Sequence, residues 1–302
     1  MTRHFRTLLD LSREELTGLL DRAAVMRAER GSGGPRPLEG KSVVILLDKA
    51  STRTRVSFEV GVHELGGMPL TLISKDTQLG RGEPLSDTAR MFSGYAHAVV
   101  YRTFGHDRIE ALAASSRIPI INGLSDTYHP CQLLADLQTI RAERPLEGTR
   151  VAWIGDGNNM AHSWILAAAR TGLSLRLACP EGYLPEPSIV AEARELGADV
   201  EVVTDPREAA AGAHVVTTDV WASMGQEAEN AARALAFAGY QVSSSLMGVA
   251  ADGAIFLHCL PAHRGEEVTA EVIDGDASRV WTEAENRLHA QKALLELLVA
   301  PE

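Results

Sequence analysis

Apolar and polar positions along the chain follow two alternating patterns. Short continuous apolar runs such as "SVVILL", 42–47, have the length and β-branched content of strands buried on both faces. Stretches such as "SREELTGLLDRAAVMRAER" instead repeat Leu16, Leu19, Leu20 and Ala23 at helical spacing behind a capping box of Ser12 and Glu15. A first block predicts strands at 42–47, 69–73, 97–101 and 118–121, with helices near 54–65, 84–94, 106–115 and 130–142. A second predicts strands at 150–155, 174–179, 199–203, 214–218 and 254–259 with helices between them. Alternation of this kind predicts the α/β class: two doubly wound parallel-sheet domains. Pro and Gly in "RAERPLEGTR", 141–150, mark the hinge between a domain over 1–143 and one over 148–283. The last helix, 284–298, has no strand after it and is expected to return to the first domain, carrying 284–302 with it. No repeat beyond the βα rhythm is visible.

Composition narrows the partners. The chain has 302 residues, 45% of them hydrophobic, enough for two buried cores. Lys and Arg number 29 against 40 Asp and Glu, a formal charge of −11 that repels nucleic-acid phosphates and anionic membranes, so neither is an expected partner. The three cysteines, 131, 179 and 259, form no C-x-x-C pair and read as free thiols of a reducing compartment, the cytoplasm. The N-terminus has no signal-peptide apolar region, and no apolar run approaches a membrane span.

Chemistry concentrates where strands give way to helices. "LLDKASTRTRVSFEVG" sets Ser51, Thr52, Arg53, Thr54 and Arg55 at the end of the 42–47 strand, where an open α/β sheet binds ligands. Helix N-terminal N–H groups and the macrodipole favour an anion there, and two guanidinium groups oppose the dipole unless an anion lies between them. The segment is either a cap with exposed arginines or a phosphate site, and the doubled motif favours the second. The nucleotide loop G-x-x-x-x-G-K-[ST] is absent, so a small phosphorylated metabolite fits better than a triphosphate. Arg102 ends another strand at the same rim, and "YHPCQLLADL" places His129 and Gln132 at a further strand-to-helix junction, His129 reading equally as structural or as ligand-facing.

In the second block, "VAWIGDGNNMAHSW" supplies only G-x-G of a dinucleotide fingerprint, with Met160 in place of the third glycine. Asn158 and Asn159 suit either a carboxylate ligand or a helix cap. Asp219 ends the 214–218 strand and Cys259 the 254–259 strand, so the two can converge on a cationic amine. His258, Cys259 and His263 lack zinc-site spacing, and no metal site is expected; a nucleophilic Cys259 stays open.

"STRTR", "HPCQ", "DGNN", "DVWASMGQE" and "HCLPAHRGEEV", in this order along nearly the whole chain, resemble the signatures of the ornithine carbamoyltransferases. The resemblance implies a carbamoyl-phosphate domain, then an ornithine domain, no cofactor, and a homotrimer with active sites shared between subunits. It implies a carbamoyl-phosphate site of Ser51, Thr52, Arg53, Thr54, Arg102, His129 and Gln132, with Gln78 reaching a neighbouring subunit's site. Asn159, Asp219, Ser223 and Met224 match ornithine-binding positions, and Cys259, Leu260 and Arg287 match residues that close over both substrates. Arg102, His129, Asp219 and Cys259 are then the expected catalytic residues. The implied reaction is carbamoyl transfer from carbamoyl phosphate to the δ-amine of L-ornithine, giving L-citrulline and phosphate, run toward arginine synthesis or toward carbamoyl phosphate. The other readings are a nicotinamide-dependent dehydrogenase, resting on "GDGN", and a binding-only regulator. Against the dehydrogenase, Glu181 follows Pro180 outside the next strand, where an acidic residue at the strand tip is wanted.

Overall fold

The structure, a computed structural model, describes residues 2–222 and 230–300. The chain divides into two compact units, residues 1–138 with 286–302 and residues 139–285. The divisions fall inside two helices, Pro130–Arg141 and Val280–Val299. A break in helical pattern is visible in sequence, whereas a boundary within a continuous helix leaves no Pro or Gly to mark it.

The first unit is a four-stranded parallel sheet of order β2-β1-β3-β4, with β1 Ser42–Leu47, β2 Met68–Ile73, β3 Ala98–Arg102 and β4 Ile120–Leu124. Its helices are α1 Arg13–Ala28, α2 Thr52–Glu64, α3 Leu85–Tyr95, α4 His106–Ala114 and α5 Pro130–Arg141. β4 lies two to three residues later than the 118–121 pattern predicts. Asn122 and Gly123 read as turn residues, but Phe5 of the N-terminal segment pairs beside Ile121: its N–H reaches the Ile120 carbonyl at 2.8 Å and its carbonyl accepts from Asn122 N–H at 2.8 Å. A partner this remote in sequence supplies the ladder bonds that local propensity does not foresee. Val44, Leu46, Val99, Tyr101 and Ile120 on one sheet face pack with Phe92, Ile109 and Leu112 of α3 and α4.

The second unit is a five-stranded parallel sheet, β7-β6-β5-β8-β9, with β5 Arg150–Ile154, β6 Ser174–Ala178, β7 Asp199–Val203, β8 Val215–Thr218 and β9 Ile255–His258. α6 Asn159–Thr171, α7 Pro187–Glu195, α8 Pro206–Ala210, α9 Asn230–Ala236, α10 Ser244–Met247 and α11 Ala270–Ile273 accompany it. α12, Val280–Val299, contributes its residues from Asn286 onward to the first unit. There it docks on α2 at Gly61, where an added Cβ would stand 3.2 Å from Lys292 Cγ. Lys292 pairs with Glu64 at 2.8 Å, and Glu296 with Arg22 of α1 at 2.6 Å.

Both sheets have a topological switch point. The order 2-1-3-4 reverses direction between β1 and β3, and 7-6-5-8-9 reverses between β5 and β8. Loops leaving the carboxyl ends of such strand pairs diverge and leave a crevice for ligands.

Candidate active site

At the β1/β3 switch point, Ser51 caps α2 in extended backbone geometry, its Oγ accepting the Thr54 N–H at 3.3 Å. The helix therefore begins at Thr52, two residues earlier than the sequence pattern predicts, because the cap lies at Ser51. Thr52 is exposed, Arg53 partly buried and Thr54 fully buried. The Thr54 hydroxyl accepts from Arg287 Nη2 at 3.1 Å and from Arg102 Nη1 at 3.4 Å. Arg287 Nη1 donates to Gln132 Oε1 at 3.0 Å, and Gln132 Nε2 donates to Asp136 Oδ1 at 2.7 Å. Asp136 is buried one helical turn beyond Gln132, where it fixes which end of the amide faces Arg287. Its signal in the sequence is the i,i+4 spacing in "QLLAD".

His129 is buried beside this group. Desolvation, then the charges of Arg287, Arg102 and Arg53, hold its pKa well below the usual histidine value. It is a neutral imidazole at pH 7, able to donate one N–H without adding charge. Three guanidiniums around a neutral ring and a hydroxyl form a cationic cluster that an anion would relieve.

One expectation is corrected. Arg55 does not join the cluster: it is exposed and pairs with Glu59 at 3.0 Å, one turn along α2, and Glu59 also accepts from Thr71 at 2.5 Å. A helix turns 100° per residue, so neighbours two apart in "STRTR" face opposite ways. Gln78 is exposed beside a 3-10 turn, Leu79–Arg81.

At the β5/β8 switch point, Asn158 is the side chain that meets Asp219. Its Oδ1 accepts from Met160 N–H at 2.9 Å and Ala161 N–H at 3.2 Å, capping α6, and its Nδ2 donates to Asp219 Oδ2 at 3.0 Å. Asn159 is the first residue of α6, its carbonyl accepting from Ser163 Oγ at 2.6 Å. Asp219 Oδ1 accepts from Val220 N–H at 2.8 Å and from Cys259 Sγ at 3.2 Å, so the expected convergence of β8 and β9 ends on one point is present. Ser223 and Met224 lie outside the described residues.

Past β9, Leu260 has φ 58°, left-handed backbone that a leucine adopts only when its surroundings impose it. Its N–H donates to His258 Nδ1 at 2.9 Å, and His258 Nε2 lies 3.2 Å from Glu267 Oε1. Asp219, His258 and Cys259 offer ligand atoms within 4.8 Å of one another, and each is engaged in hydrogen bonds. Gly157 of the G-x-G is explained by packing: an added Cβ would meet Pro185 N at 2.2 Å, and the Gly157 N–H donates to Tyr183 at 2.8 Å. The backbone that a dinucleotide phosphate would approach is covered by residues 183–185.

Two family models match. That for the carbamoyl-phosphate-binding domain of aspartate/ornithine carbamoyltransferases covers residues 3–142, and that for the Asp/Orn-binding domain covers 147–298. The chain is 58% identical to an ornithine carbamoyltransferase of Halorhodospira halophila, over 98% of this chain and 99% of the relative. It is 54% identical to an anabolic ornithine carbamoyltransferase of Pseudomonas aeruginosa, over 98% and 97%. Among solved structures, the ornithine carbamoyltransferase of Pyrococcus furiosus superposes with a TM-score of 0.94 at 46% identity, over 99% of this chain and 98% of that one.

Proposed function

The chain belongs to the aspartate/ornithine carbamoyltransferase family, and from that premise we propose that it transfers the carbamoyl group of carbamoyl phosphate to the δ-amine of L-ornithine, giving L-citrulline and phosphate. The observation that carries this reading is the opposite chemistry of the two switch points. The first gathers Arg102 and Arg287 on one buried hydroxyl, and the second presents a carboxylate and a thiol to an ammonium.

In this reading the first unit holds carbamoyl phosphate. Ser51, Thr52, Arg53, Thr54 and the N–H groups of the first turn of α2 take the phosphate. Arg102, the Thr54 hydroxyl and neutral His129 face the carbonyl oxygen, where charge grows as the tetrahedral intermediate forms. Gln132 and Arg287 orient the carbamoyl end. The second unit holds ornithine. Asp219 and Cys259 take the δ-nitrogen, while Asn159, Ser223 and Met224 serve the amino-acid end. An alkylammonium with a reference pKa near 10 is no nucleophile, so the δ-nitrogen must shed a proton before its N–C bond forms and the C–O bond to phosphate breaks. Guanidinium charge in the first unit stabilises the departing phosphate.

Three further parts belong to the proposal. Gln78, exposed, serves a neighbouring subunit of a homotrimer, and the exposed Val56, Met68 and Leu70 on α2 and edge strand β2 are apolar surface suited to a second copy. Light scattering should give three times the monomer mass. Free thiols at Cys131, Cys179 and Cys259 support the cytoplasm. The anabolic relative supports the direction of arginine biosynthesis.

The test is direct: incubate the protein with carbamoyl phosphate and, in turn, ornithine, putrescine, N-acetylornithine and aspartate, and measure the ureido product. Citrulline should form and the other amines should lag far behind. Product from another amine alone, or from none, overturns the reading.

A further inference from the structure

Asp48 follows directly on β1, three residues before Ser51 caps α2, and three consecutive residues at the end of β3 are tied to it. The Tyr101 hydroxyl donates to its Oδ2 at 2.7 Å, its own N–H donates to the Arg102 carbonyl at 2.8 Å, and the Thr103 hydroxyl donates to the same Oδ2. Arg108 of α4 backs the group: Nε donates to Thr103 Oγ1 at 3.0 Å and to the Tyr101 hydroxyl at 3.1 Å, and stands 3.3 Å from Oδ2. The Asp48 side chain is only 7% exposed. Burial, with Asp48 beside it, pushes the Tyr101 phenol up to about 12, so that it remains a donor at any working pH.

A carboxylate is a costly choice for joining two strands that backbone bonds already pair. What it adds is direction. Side chains alternate along a strand, so Tyr101 and Thr103, which both reach Asp48, flank an Arg102 that reaches instead to Thr54. One residue thereby ties the end of β3 to the start of the α2 loop.

We propose that Asp48 is a positioning residue for carbamoyl phosphate, fixing the Arg102 guanidinium relative to the hydroxyl-bearing first turn of α2 by holding both neighbours and the carbonyl of Arg102. The inference rests on the carbamoyl-transfer reading. Asp48→Ala raises the KM for carbamoyl phosphate on the order of tenfold, since sub-ångström displacement of a polar group is enough for that, while the KM for ornithine stays within about twofold. Asp48→Asn, whose amide oxygen still accepts from both hydroxyls, recovers most of the loss.

The deciding experiment is a double-mutant cycle with Arg102→Met, which separates an effect passing through Arg102 from a general loss of structure. In the Arg102→Met background, Asp48→Ala should add nothing to the KM for carbamoyl phosphate. An equal penalty in both backgrounds, or a lowered melting temperature with unchanged KM, overturns the inference. Should Asp48→Ala not fold, Thr103→Val and Tyr101→Phe enter the same cycle with the same expectation at about threefold. A wild type that makes no ureido product from any amine overturns the carbamoyl-transfer reading and this inference with it; an active wild type with additive penalties overturns this inference alone.

Discussion

Thr54→Val removes a single oxygen from the centre of the cationic cluster. The side chain is fully buried, and its hydroxyl accepts from Arg287 at 3.1 Å and Arg102 at 3.4 Å. Valine keeps the volume and the β-branch, which a first helical turn tolerates about as well as threonine, but it offers the guanidiniums no acceptor. A hydrogen bond from a charged donor contributes about 1.5–3 kcal/mol. The Arg102 bond is at the outer limit of useful length, so the Arg287 bond alone sets the magnitude, about 2 kcal/mol or roughly thirtyfold. That loss should fall on kcat/KM for carbamoyl phosphate, because the Arg102 and Arg287 groups would no longer converge, and should leave the KM for ornithine nearly untouched. Steady-state citrulline formation with each substrate varied in turn reads both quantities, and a thermal-shift titration with carbamoyl phosphate reads binding separately. If kcat/KM for carbamoyl phosphate stays within threefold of wild type and the ligand-induced rise in Tm is unchanged, Thr54 is not the hub of an anion site.

The two arginines of "STRTR" should behave differently: Arg53→Ala weakens carbamoyl-phosphate binding tenfold or more, whereas Arg55→Ala, removing only an exposed pair with Glu59 worth about 0.5 kcal/mol, changes it less than twofold by calorimetry. Asp219→Asn should lower kcat/KM for ornithine about a hundredfold, with carbamoyl-phosphate affinity preserved; full turnover across pH would refute its role. For His129 the folded-state pKa is depressed, so the native state binds fewer protons than the unfolded chain, and its contribution is complete above the unfolded value near 6.5 and lost as pH falls toward the folded value. Tm should therefore fall between pH 7 and 5, with His4, His106 and His214 adding in the same direction, and His129→Asn should flatten that slope. Among the thiols, Cys131 is buried with its pKa pushed up to about 12 and Cys179 is buried and raised likewise, so iodoacetamide should label Cys259 first, and ornithine should slow it.

The strand-helix rhythm was legible because parallel strands buried on both faces leave apolar runs that helices interrupt, and it located every strand that carries a candidate site residue. Arg102, His129, Asp219 and Cys259 were visible by position alone, each lying where a strand ends or a helix starts. What failed was angular. Arg55 and Arg53 look equivalent in sequence, yet two residues along a helix turn them to different faces, and Arg55 finds Glu59. Asn158 and Asn159 are likewise adjacent, and it is the capping Asn158, whose backbone is extended, whose amide donates to Asp219. Asp48 and Asp136 are harder to read because each acts through a neighbour, Arg102 or Gln132: the i,i+4 spacing links Asp136 to Gln132, but the partners of Asp48 are set by tertiary packing that no local spacing reports.

The central claim is that the start of α2, with Arg102, grips a phosphate. A crystal structure with a phosphonate bisubstrate analogue of carbamoyl phosphate and ornithine tests it most directly. The account predicts the phosphonate at the N-terminus of α2, within hydrogen-bond distance of the Ser51 and Thr52 hydroxyls and the Arg53 and Arg102 guanidiniums. A phosphonate bound elsewhere, with those guanidiniums turned to solvent, would contradict it.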